Sequence, residues 1–343
     1  MQVEVFERIG LMPEGHQQLL KRASTRNYAY GVGWFENFVA SGLDPAERVC
    51  WFALTDTSGE CMALLPMSAR SPVDMGAPSL RSLANVYSCA FDVVSELPAE
   101  HVQVAADALS LALARAQERP AVLQLDALPA DGPWLGALLV GLSRAGLLVQ
   151  PYAYFGTWYE DVEGVDFDAY LAARPSRLRN TLKRKLRRLQ KTGEARFVIA
   201  RTPAAVEEHI AAYETVHERS WKPPEPYPHF MPGLVRRAAA DGALTLGVLY
   251  RAERPIAAQI WLEAGREATI FKLSYDGEFE RDSPGALLTL HMIQDALDTH
   301  RITHLNFGRG DDPYKQEWLG ERRERWNILA FNPTTTSGIV GAL

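Results

Sequence analysis

The chain has 343 residues, 47% hydrophobic and 23% charged, with a formal net charge of −6; this length favours two domains and this composition a globular protein with a sizeable core. No run of about eighteen uncharged apolar residues occurs, which excludes a membrane-spanning helix, and the acidic start MQVEVFERIG lacks the basic-then-apolar layout of a secretion signal. Cys50, Cys61 and Cys89 form an odd set without C-x-x-C spacing, which argues against a disulfide framework or a metal site and fits a reduced, cytoplasmic setting.

The predicted elements begin with a helical, aromatic stretch, NYAYGVGWFENFVASG, closed by Gly42. Strands RVCWFALTD and CMALLPMSAR follow across the turn signal TSGE, then a third strand over SLANVYSCAFDVV. A helix with apolar residues at three and four leads to strand AVLQLDAL, helix WLGALLVGLSRAG and strand LLVQPYAYFGTWYE. The second half opens on a basic helix from Ser176 to Lys191, ended by Gly193, and strand ARFVIA. Two helices flank the loop KPPEPYPHF, and three strands follow: LTLGVLY, IAAQIWLEA and ATIFKLSYD. Helix PGALLTLHMIQDALDTH, strand THLNFG, a helix from Pro313 and strand RWNILAF complete the order. This is mixed α/β. The halves echo each other, so two like-folded domains are expected, 1–164 and 165–335, with 336–343 a loose tail.

Between Arg174 and Lys191 stand nine Lys or Arg and no acid. One basic segment in an acidic chain points to local handling of an anion, and away from a general affinity for DNA. Leu178, Leu182, Leu186 and Leu189 make one apolar stripe, while Arg177, Arg184, Arg188 and Lys191 share another face. That face reads either as a solvated surface or as a site for an anionic partner.

The chemistry-bearing run is strand, turn, helix, strand around FERDSPGALL. Gly285 lets the backbone approach a ligand, and the first-turn N–H groups of the helix are free to hold an anion. Pro284 gives up only an N–H that no helical bond would use. Ser283 is a fitting N-cap and Arg281 adds positive charge. The run serves equally as a phosphate cradle or as an ordinary helix start. Downstream, NFGRGDDPYKQEWLG places Arg309, Asp311, Tyr314 and Lys315 at the mouth of a strand. Asp311 also reads as a plain helix cap, and Tyr314 as packing on Trp318. In SWKPPEPYPHF, Trp221, Tyr227 and His229 either line an acceptor pocket or belong to a stiff connector.

The segments IAAQIWLEAG, LSYDGEFERDSPGALL, GRGDDPYKQEW and RPSRLRNTLKRKLRRLQKTG, with a weaker match at WFENFVASG, resemble two-domain GNAT-fold acyltransferases of the CelD- or BcsL-like group. Those proteins are linked to cellulose and exopolysaccharide production and are distantly similar to the Fem aminoacyltransferases. The resemblance implies tandem GNAT-like domains, each a twisted mixed sheet flanked by helices, with the donor site in the second. It implies an acyl-CoA donor, acetyl-CoA among them, no metal, and an amine or hydroxyl acceptor. Donor contacts would come from Ile260, Trp261, Leu262, Arg281, Ser283, Gly285, Ala286 and Leu287. Tyr314 would protonate the leaving thiolate, Lys315 would hold a phosphate or carboxylate, and Asp311, Glu263 and a water chain are all open as general base. Arg281 to Ala286 departs from the family's phosphate loop in carrying Pro284 where the first glycine stands. A Fem-like transferase using aminoacyl-tRNA and a non-catalytic scaffold of the same fold are the alternatives.

Overall fold

The computed structural model describes residues 1–70, 77–117, 119–191 and 193–342. They form two compact units: 1–25, 29–156 and 323–343 make the first, and 26–28 with 157–322 the second. In chain order the first holds β1 (Gln2–Phe6), α1 (Glu14–Ser24), α2 (Val32–Ser41), β2 (Glu47–Thr55), β3 (Cys61–Arg70), β4 (Ser79–Ser82), β5 (Val94–Ser95), α3 (Ala99–Ala114), β6 (Val122–Pro129) and α4 (Pro133–Arg144). The chain passes into the second unit within β7 (Leu148–Asp161). There it forms α5 (Phe167–Ala172), α6 (Ser176–Lys191), β8 (Ala195–Ala200), α7 (Pro203–Glu218), α8 (Phe230–Ala240), β9 (Leu244–Arg251), β10 (Arg254–Ala264), β11 (Glu267–Tyr275), α9 (Pro284–Asp298) and β12 (His304–Asn306). After β13 (Glu321–Phe331) comes α10 (Thr336–Ala342).

The first unit orders its strands β1-β2-β3-β4-β6-β13, with β5 on β3, and only β4–β6 runs parallel. Its core joins Phe52, Leu65 and Leu125 of the sheet to Leu109 and Leu113 of α3 and Leu138 and Leu142 of α4. Residues 323–343 thus lie in the first unit, whereas the sequence grouped 165–335 together; β13 pairs antiparallel with β6, Arg325 opposite Pro129 through Phe331 opposite Val122. The strand expected over Ser82–Val94 is mostly irregular, with a turn at residues 86–87. Asn85 Oδ1 accepts from Tyr87 N and Ser88 Oγ accepts from Asn85 N, so the polar side chains satisfy the backbone a ladder would have used. The expected loose tail contains α10, where a Cβ at Gly338 would collide with the Asn332 carbonyl; Leu343 lies outside the described residues.

The second unit orders its strands β7-β12-β11-β10-β9-β8, antiparallel except for β11–β12. Its central helix is α9, whose Leu287, Leu288, Met292 and Ile293 pack with Trp261 and Ile270. The leucine stripe of α6 buries Leu178, Leu182 and Leu189 in the same core, each contributing roughly 1.5–3 kcal/mol. Among the described residues no helix is long and apolar enough to cross a membrane, and all three cysteines are free.

Candidate active site

The site begins with two strands that part. β11 and β12 pair only from Glu267 opposite His304 to Thr269 opposite Asn306. Asn306 ends the pairing: its Oδ1 accepts from Gly308 N at 2.9 Å and from Thr157 Oγ1 at 2.8 Å, turning the chain through Gly308 at φ 56°. On β11 the register to β10 shifts, so that Phe271 falls between the pairs Ile260–Lys272 and Trp261–Ile270. A bulge adds twist and re-aims the strand beyond it. Into the resulting notch opens a cavity of about 580 Å³, lined by Ile270, Phe271, Leu273 and Tyr275 on one side and Phe307 and Arg309 on the other.

The start of α9 closes the cavity with Ser283, Gly285 and Ala286. Gly285 is needed for the close approach, since a Cβ there would stand 3.1 Å from Tyr275 Cδ1 and 3.3 Å from Leu273 Cδ2. Ser283 is not the side-chain cap that its position suggested. It sits in the left-handed region at φ 54°, and its carbonyl accepts from Leu287 N at 3.1 Å. The first-turn amides of Gly285 and Ala286 precede any helical acceptor, so they remain available to an anion.

Below the notch, 313–317 is a single 3-10 turn in place of the expected α-helix. Tyr314 stands 44% exposed at the cavity wall, its ring edge-on to Phe307 at 5.9 Å. Burial of its hydroxyl, then the Asp312 carboxylate and Tyr275, push the phenol's pKa up, so it is protonated at neutral pH. Lys315 lines the cavity, but its Nζ donates to Arg309 O at 2.6 Å and Gly310 O at 3.0 Å and forms an ion pair with Asp312 Oδ2 at 3.2 Å. It locks the turn and is no free phosphate ligand. Asp311 is neither cap nor lining residue; Arg322 binds it at 2.6 Å and holds its carboxyl below the usual range.

Residues 176–316 match the family of the Acetyltransferase (GNAT) domain. Over this stretch the chain is similar to a GNAT acetyltransferase-type domain. In fold it is similar over most of its length to the crystal structure of FemX, with a TM-score of 0.64 at 12% identity, covering 96% of this chain and 98% of that one. It is similar also to the C-terminal DUF2156 domain of a putative lysylphosphatidylglycerol synthetase from Agrobacterium fabrum, with 0.57 at 13%, covering 94% and 93%. A tandem GNAT protein from the clavulanic acid biosynthesis pathway gives 0.53 at 13%, covering 95% and 98%. At such identities the likeness is one of fold. No curated protein matches the sequence.

Several residues expected in the site lie elsewhere. Ile260, Trp261 and Leu262 sit on β10, paired on both edges and buried, so their backbone has no edge for a ligand. The open edge belongs to the next strand, β11. Trp261 supports the site from behind: its Nε1 donates to Gln259 Oε1 at 2.9 Å, and Gln259 Nε2 donates to the Gly285 carbonyl at 3.1 Å. Leu287 is core, and Arg281 is exposed outside the lining, its carbonyl accepting from Lys185 Nζ. Trp221 lines the cavity and packs on Tyr275 with ring centroids 4.4 Å apart, whereas Tyr227 and His229 are not among the lining residues. Glu263 accepts from Thr245 Oγ1 and does not reach the cavity.

Sequence reasoning missed Lys222. It lines the cavity and its Nζ donates to the Leu273 carbonyl, which therefore faces the notch and not β10. Burial first, then the neighbouring Lys272, lower its pKa from 10.5 to about 8. Behind it Lys272 Nζ lies 3.1 Å from Glu225, and His217 Nε2 lies 3.7 Å from the same carboxylate. The signal was there in the loop SWKPPEPYPHF, whose one lysine sits beside the aromatic residue that lines the site. Among the described residues, no group of three or more His, Cys, Asp or Glu is placed to hold a metal.

Proposed function

We propose that the protein is an acyltransferase that takes an acyl group from an acyl-CoA thioester and passes it to an amine or hydroxyl acceptor. The supporting observation is the notch itself: a strand edge opened by a bulge, with a helix N-terminus at one end and a protonated tyrosine at the other. Amide groups on the open edge of β11 match an extended amide-bearing arm, and the α9 amides suit its phosphates. The acceptor attacks the thioester carbonyl, N–H groups near the bulge hold the oxyanion, the C–S bond breaks as Tyr314 gives its proton to the departing sulfur, and the proton shed by the acceptor restores the phenol. The resemblance to the CelD and BcsL group supports polysaccharide or cell-envelope metabolism as the setting. The likeness in fold to FemX favours one alternative donor, aminoacyl-tRNA.

A thermal-shift panel of CoA, acetyl-CoA, longer acyl-CoAs and aminoacyl-tRNA tests this. Acyl-CoA at about 100 times its Kd should stabilise the wild type by about 2.7 kcal/mol, a shift of a few degrees. Ala286→Glu puts a carboxylate into the first turn of α9, which suits the helix dipole but repels phosphate. It should fold and lose the shift. Equal stabilisation of both proteins would place the donor elsewhere, and a shift with aminoacyl-tRNA alone would select the other donor.

A further inference from the structure

We propose that the cationic face of α6 is a docking surface for an acidic carrier protein, whose phosphopantetheine-bound acyl group enters the notch beside α9; this rests on the acyl-transfer reading above. The sixteen residues of α6 include eight Lys or Arg and no acid. Arg179, Lys183, Arg187 and Lys191 recur at every fourth position, making three successive like-charge pairs along one exposed face, and such pairs destabilise a helix. Arg177 and Arg179 also stand in the first turn, where the helix dipole disfavours cations. Among the described residues, Arg188 alone of the exposed cations of α6 has an acidic partner, Asp282 at 3.4 Å. A surface held at this internal cost is complementary to an anion outside the chain.

Position and shape narrow the occupant. Leu178 of α6 lines the cavity, and Lys185 holds the Arg281 carbonyl just ahead of α9, so the cationic face begins at the mouth of the notch. From residue 179 to 191 it extends about 18 Å, the length of a short helix, and carboxylates spaced by four on such a helix would match it. A membrane has nothing to take, because the leucine face of α6 is already in the core. A nucleic acid is disfavoured by the acidic remainder of the chain and by the lack of any aromatic side chain on α6 for stacking. Pro284 removes one amide from the phosphate cradle, so a donor anchored through a second surface gains more here than a free one.

The test compares two thioesters with one acyl group, acetyl-CoA and the acetyl-loaded fatty-acid acyl carrier protein, using an amine acceptor that the wild type turns over. In the variant, Arg179→Gln, Lys183→Gln, Arg187→Gln and Lys191→Gln are combined; Gln matches Lys and Arg in helix propensity and removes the repulsion, so α6 should fold. The KM for the carrier thioester should rise roughly tenfold or more in the variant, and in the wild type it should rise with ionic strength. The KM and kcat for acetyl-CoA should stay within twofold or so, since only the outer face has changed. Unchanged use of the carrier by the variant would overturn the docking surface. So would a wild type that uses acetyl-CoA and ignores the carrier, or a face whose loss impairs only aminoacyl-tRNA. A wild type that uses neither thioester would instead bring down the acyl-transfer reading, and the docking surface with it.

Discussion

At the scale of single residues the site is defined by two groups with displaced proton affinities. Tyr314 is held protonated beside Asp312, so Tyr314→Phe removes an acid without removing the ring that packs on Phe307. Donor binding should persist while kcat falls on the order of 10²-fold or more, read by steady-state kinetics against the thermal shift; a kcat near wild type would remove Tyr314 from the chemistry. Lys222 is displaced the other way. Its pKa is about 8 in the fold against 10.5 ordinarily, so the native state resists its proton. Below about pH 8 it is charged in both states and the burial penalty is full. Between about 8 and 10.5 the unfolded chain binds more protons than the native one, and stability from this group rises with pH. Relative to Lys222→Met, the wild type should therefore gain melting temperature across that window and hold a constant difference below it. A difference that stays flat to pH 10.5 would mean that the amine is not desolvated.

Elements set where those residues stand, and here the sequence was partly legible. Alternation and turn chemistry marked β8 to β11 closely, and Pro284 at the first helical position marked α9, because each is a local signal. The open edge was not legible. A bulge at Phe271 and a strand halted by Asn306 depend on what lies across the sheet, so the strand with the open edge was read one strand too early, at Ile260 to Leu262. The side chains of Lys315 and Asp311 point the same lesson: spacing put them near the mouth, but only the turn through Gly308 and Gly310 decides what they touch. The start of α9 hangs on a fully buried chain, Trp261 to Gln259 to the Gly285 carbonyl, with Thr289 Oγ1 on the same carbonyl at 3.0 Å. Gln259→Leu leaves the indole N–H without its acceptor, which costs about 1–3 kcal/mol. It should lower the melting temperature by several degrees and weaken acyl-CoA binding together, although residue 259 does not line the cavity. A loss of stability with unchanged donor affinity would show that the cradle does not depend on this support.

On the scale of the whole molecule, each unit has its own core, and, residues 26–28 of the second unit apart, the chain passes from the first unit to the second within β7 and back at the start of β13. The last strand is the informative part. Ile328 and Ala330 are fully buried in the first core, and β13 pairs with β6 from Val122 to Pro129, while every residue lining the cavity beside α9 belongs to the second unit. Ending the chain after Arg322 would thus strip the first unit of a paired strand and expose the backbone of β6, whose amides would lose protection. Hydrogen exchange should accelerate over β6, α3 and α4, and the sheet residues β9 to β11 should keep their protection. Acyl-CoA should still protect the amides from Ile270 to Ala286 in the shortened chain. Uniform loss of protection in both units would instead make the fold one cooperative block, with the donor site dependent on the final strand.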